Sequence, residues 1–105
     1  MKRIALVTLM STTVALAVTN GMAVQQSGED KFKEHCTACH VDGGNIIRPE
    51  KTLSRTDREK HGIKTADDIV RLMRNPGEGM SLFDSSAIPD KEAKEIADYI
   101  ISTFK

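Results

Sequence analysis

The pentapeptide Cys36-Thr37-Ala38-Cys39-His40 uses both cysteines of a 105-residue chain, and it constrains the fold more than any other stretch. C-x-x-C-H is the spacing for covalent haem attachment. Its thiols add across the haem vinyl groups, and the two-residue spacer sets the sulfurs about one helical turn apart. His40 then falls beneath the iron and offers an imidazole nitrogen as the proximal ligand. The same residues have plainer readings. A redox dithiol normally opens a helix in a βαβ setting, and no strand pattern lies nearby. A zinc site needs further ligands at set spacings; there is no second cysteine pair, and His35 and His61 do not complete a zinc-finger spacing.

The N-terminus agrees with chemistry outside the cytoplasm. Lys2 and Arg3 precede an apolar run from Ile4 to Val18, and Gly21-Met22-Ala23 puts small residues before a cut. This is the pattern of a secretory leader, residues 1–23, removed after Ala23. An uncleaved anchor is the alternative, but the run is short against the roughly 20 residues of a spanning helix. The mature chain, 24–105, loses two of fifteen basic residues and none of fifteen acids, leaving a formal −2. That balance gives no drive toward nucleic acid or an anionic membrane. A chain this short builds a marginal core. Bound haem would supply apolar bulk, so the apo chain is expected to be largely unfolded.

Four helices are expected in one domain, 24–105. The first runs over 28–39, capped by Ser27, with Gly28, Phe32 and Cys36 on one face. A glycine-broken loop, 41–51, brings Ile46 and Ile47 onto the haem and offers a carbonyl to hold the second nitrogen of His40. A short polar helix over 52–61 ends at Gly62. Thr65 and Asp68 form a capping box for the third helix, whose apolar face includes Ile69 and Met73. Pro89 suits the first turn of the last helix, which reaches Thr103 and carries the stripe Ala93, Ile96, Ala97, Ile100 and Phe104. Arg55, Arg58, Lys60, Arg71 and Arg74 read as solvated helix faces rather than as docking patches.

Iron held by one histidine keeps one axial position. Met73 falls on an apolar helix stripe, where core packing explains it. His35 is too near the attachment motif to cross to the other face, and His61 sits in a charged run. Met80 lies in the loop Pro76-Gly77-Glu78-Gly79-Met80, where glycines permit close approach. It is the expected distal ligand; an exposed loop methionine is the plain alternative.

The order of these pieces resembles the class I c-type cytochromes, and within them cytochrome c6 and its relatives in non-photosynthetic bacteria. Gly28-x-x-x-Phe32-x-x-x-Cys36, Pro49-Glu50-Lys51-Thr52-Leu53, Gly77-Glu78-Gly79-Met80-x-x-Phe83 and Ile96-x-x-Tyr99 carry the resemblance across nearly all of 28–104. It implies an all-α fold, a small class I cytochrome c wrap of about four helices around one covalent haem c. The first and last helices would cross at Gly28, with Phe32 near Ile96 and Tyr99. It implies Cys36, Cys39, His40 and Met80 as the haem residues, and His40 and Met80 as the iron ligands. The family shuttles single electrons between redox proteins. The expectation is therefore a periplasmic or otherwise extracytoplasmic monomeric carrier, not an enzyme, with a redox donor and acceptor as partners and no stable membrane insertion. The rival is a haem-based sensor in which Met80 yields to a small ligand. A peroxidase would need a distal acid–base pair, and none is evident. Ser81 stands where typical cytochromes c6 have proline, and the segment 84–88 is unlike theirs.

Overall fold

A computed structural model describes residues 27–105, so the expected leader, 1–23, lies outside the described residues. Four α-helices follow in order: α1, Gly28–His35; α2, Arg55–Lys60; α3, Ala66–Arg74; and α4, Asp90–Thr103. A single 3₁₀ turn, Val41–Gly43, follows the cysteine motif, and there is no strand among the described residues.

Local chemistry sets most of the boundaries. Ser27 caps α1 by accepting from Asp30 N at 3.3 Å, and Glu29 and Asp30 add negative charge to the first turn. Thr65 and Asp68 form the expected capping box, with Asp68 N to Thr65 Oγ1 at 3.1 Å and Thr65 N to Asp68 Oδ2 at 2.9 Å. That carboxyl is held down to about 2, chiefly by the backbone N–H groups of Lys64 and Thr65. Four boundaries differ from expectation, among them the end of α2, which stops at Lys60 with His61 as its cap rather than at His61 before Gly62. α1 ends at His35 rather than at Cys39. Thr37 N donates to Phe32 O, five residues back, at 3.2 Å, so the helical register slips at the first cysteine. α2 begins at Arg55 rather than Thr52, because Thr52 is held outside the helix by its own bonds to the Asp57 carboxylate. Pro89 stands at the N-cap of α4 rather than inside its first turn.

α4 is the spine of the core, packing against both α1 and α3. Ala93, Ile96 and Ala97 are fully buried and Ile100 nearly so; Phe32, Ile69, Met73 and Ile88 close the cluster. The α1–α4 crossing is tight at Gly28, where a Cβ would lie 2.1 Å from Glu95 O. Phe32 meets Tyr99 at 5.3 Å between ring centroids and Phe104 at 5.5 Å. The expected contact of first and last helices is present. Ile88 is supplied by the segment 84–88, which the Asp84 side chain folds by accepting from Ser86 N at 3.0 Å and Ala87 N at 2.9 Å.

Candidate haem-binding site

The helices leave a cavity of about 360 Å³, within the range of small-molecule sites. Cys36, Cys39, His40 and Met80 all line it, together with Leu53, Ile63, Ile69, Leu72, Met73, Phe83, Ile88 and Ile100. The four site residues expected from the sequence are thus brought to one apolar space.

The motif is shaped by turns. Cys39 N and His40 N both donate to Cys36 O, at 3.2 and 2.9 Å, which folds the pentapeptide back on its first cysteine. His40 is then oriented by its Nδ1, 2.7 Å from Gly44 O. A carbonyl only accepts, so Nδ1 carries the proton and the Nε2 lone pair is free for a metal. The loop carbonyl expected to hold this histidine is therefore that of Gly44. Burial pushes the Cys36 thiol up to about 11, with a smaller contribution from Cys39. Catalytic redox dithiols have lowered thiol pKa values, so the environment of Cys36 argues against that alternative. Cys36 and Cys39 are not joined to each other, and both remain available for thioether formation.

Met80 comes from the loop between α3 and α4. Gly79 adopts φ +90°, and a Cβ there would lie 3.1 Å from Ile47 Cγ2. Only glycine suits that conformation without strain. At Gly77, which also lines the cavity, a Cβ would meet no protein atom within 4 Å. The loop is fastened at both ends. Phe83 N donates to Met73 O at 3.0 Å, and Arg74 donates to Phe83 O at 3.0 Å while bonding Asp90 at 2.8 Å. Arg48 reaches Glu78 at 3.3 Å from the other side.

Two expectations are corrected here. Ile47 lines the cavity, but Ile46 does not and is 65 % exposed. Arg58 is not on a solvated face: it is 6 % exposed and lines the cavity. Its Nε donates to Leu53 O at 2.8 Å and its Nη2 to Phe104 O at 3.0 Å. Arg55 pairs with Glu59, Arg71 with Asp68 and Arg74 with Asp90, so these arginines are satisfied within the chain. His61 lies on the surface as expected, yet it also lines the cavity.

The residues present fit a c-type haem. A pair of uncommitted thiols, an imidazole with a free and oriented Nε2, and a thioether share one apolar cavity. Comparison with known proteins agrees. A family model described as cytochrome c oxidase, cbb3-type, subunit III matches residues 23–100. Cytochrome c6 of Cyanidium caldarium is 31 % identical over 101 residues, 92 % of this chain and 91 % of that protein. The structure of OmcF, an outer membrane cytochrome from Geobacter sulfurreducens, superposes with a TM-score of 0.74 at 43 % identity, covering 75 % of this chain and 100 % of the other. Cytochrome c6 from the diatom Phaeodactylum tricornutum superposes with a TM-score of 0.67 at 31 % identity, over 71 % and 87 % of the respective chains. The chain belongs to the class I c-type cytochromes. Within them it is similar to the cytochrome c6 electron carriers, and its cofactor is one covalently bound haem c.

Proposed function

We propose that this protein is a secreted one-electron carrier, its haem joined to Cys36 and Cys39 and its iron ligated by His40 and Met80. The observation that carries this reading is the fixed tautomer of His40, whose Nε2 is free in the same cavity as both thiols and Met80. Bound haem supplies a single iron centre that takes up and gives back one electron. His40, pinned by Gly44 O, keeps one donor nitrogen in place through both oxidation states. Met80 offers a soft, neutral thioether that favours the ferrous state and a relatively positive potential. The apolar residues around them keep water from the centre.

A ligand-sensing role would need Met80 free to leave. Its loop is instead tied to α3, to the start of α4 and to Arg48, which favours a closed, carrier-type site. No helix among the described residues is long and apolar enough to cross a membrane. The reading takes residues 1–23 as a secretory leader that is removed, and places the carrier outside the cytoplasm, in the periplasm, between a donor and an acceptor protein. The relative from Geobacter is an outer membrane cytochrome by its name, in keeping with a site of action outside the cytoplasm.

The test is the absorption spectrum of purified protein with and without carbon monoxide. A six-coordinate low-spin haem, retained through acid–acetone extraction and slow to take the gas, is the expected result. A five-coordinate spectrum, or rapid binding of the gas, would favour the sensor.

A further inference from the structure

Arg58 is the only buried charged residue among the described residues, at 6 % exposure. It makes no ion pair there; its two hydrogen bonds go to neutral carbonyls, Leu53 O and Phe104 O. A guanidinium has five N–H donors in a fixed fork, so most of them remain uncommitted. The side chain lines the haem cavity. A buried cation without an anion is unfavourable unless a partner arrives. Haem brings partners of the right kind, because its propionates are the anionic groups of an otherwise apolar ring. The other cations on the cavity wall are placed differently: Arg48 already faces Glu50 and Glu78, and Lys51 is exposed.

We propose that Arg58 binds a haem propionate, and that the same guanidinium thereby fastens the C-terminal turn at Phe104 to the haem pocket. The proposal rests on haem filling this cavity. Phe104 caps α4, and its ring lies against Gly43, in the turn that follows His40. Arg58 therefore ties the loop at Leu53, before α2, and the end of α4 to the haem-binding wall. An arginine suits this task better than lysine, since one planar fork can serve a carboxylate and two carbonyls at once. The pairing also has a redox consequence. A cation near the haem, and neutralisation of a propionate, both disfavour the more positive oxidised iron, so Arg58 raises the potential.

The experiment uses holoprotein carrying R58Q and R58K. R58Q is expected to shift the midpoint to more negative values and to move the propionate bending band in the resonance Raman spectrum. R58K keeps the charge and should restore most of the potential. Should R58Q fail to mature, NMR of the wild-type holoprotein serves, with contacts expected between the Arg58 side-chain N–H groups and the propionate methylenes. A c-type spectrum with potential and Raman band unchanged in R58Q, equal potential shifts in R58Q and R58K, or no such NMR contacts, would overturn the assignment of Arg58. Absence of haem from the wild-type protein would instead overturn the reading of the cavity.

Discussion

Gly28 sits where α1 crosses α4, and the cost of a side chain there follows from distances. A Cβ would lie 2.1 Å from Glu95 O, 2.6 Å from Glu95 C and 3.2 Å from Tyr99 Cβ. The first two are backbone atoms of a helix and cannot rotate aside, so the crossing must open by about 1 Å to reach ordinary contact. Opening it loosens the Phe32–Tyr99 contact and the packing of Ile96 beneath it. Valine adds two methyl groups to that clash. Gly28→Val is expected to destabilise the holoprotein by ~1–3 kcal/mol through overpacking. For a domain of this size that lowers the melting temperature by about 5–20 °C. The assay is thermal unfolding by far-ultraviolet circular dichroism, with the haem spectrum checked at the start to confirm a filled site. Gly28→Ala adds the Cβ without the two further methyl groups, so its melting temperature should fall between those of wild type and Gly28→Val. A Gly28→Val protein as stable as wild type would refute the tight crossing.

Removing the Thr65 cap by Thr65→Ala should cost about 1 kcal/mol, read from denaturant midpoints of the holoprotein. Asp68 gives the acid limb of the same motif. Its folded pKa, about 2, lies below the ordinary carboxylate value, so its contribution is complete above roughly pH 5 and is lost as pH falls through about 2. The stability gap between wild type and Asp68→Asn should therefore be constant near neutrality and close between about pH 4 and pH 2. The double variant Cys36→Ala, Cys39→Ala should yield little folded protein, with a coil-like circular dichroism spectrum, because the small core is completed by the haem. A folded double variant that binds haem as wild type does would contradict covalent attachment.

The helices were legible where local rules govern them. The Thr65–Asp68 box, the α4 stripe and the Gly28–Phe32 face each depend on residues within a turn or two of one another. The end of α1 was not legible, because the slip at Thr37 depends on which carbonyl its N–H finds in three dimensions. Arg58 was hidden for a related reason. It stands in a run of charges that resembles a solvated helix, and its partners include a carbonyl 46 residues away. Nothing near it in sequence marks that convergence. Ile88 was missed in the same way, since the Asp84 turn that delivers it to the core looks like an ordinary polar loop. The attachment motif Cys36-Thr37-Ala38-Cys39-His40 stands out in the sequence because its chemistry is written in fixed spacing, and the fold brings it to one cavity with Met80. The carbonyl that orients His40 does not stand out, since Gly44 differs from its loop neighbours only in position.

Two methionines line the cavity, Met73 on α3 at 3 % exposure and Met80 in the loop that follows. The proposed carrier mechanism requires Met80 alone as the distal ligand. Met80→His should keep the haem low-spin and lower its potential, as a nitrogen donor replaces sulfur. The decisive measurement is the methionine–iron charge-transfer band of the oxidised protein, recorded for Met80→Ala and Met73→Leu side by side. The account predicts that the band disappears in Met80→Ala, which then admits water or an added ligand, and persists in Met73→Leu. A band lost in Met73→Leu and retained in Met80→Ala would contradict it.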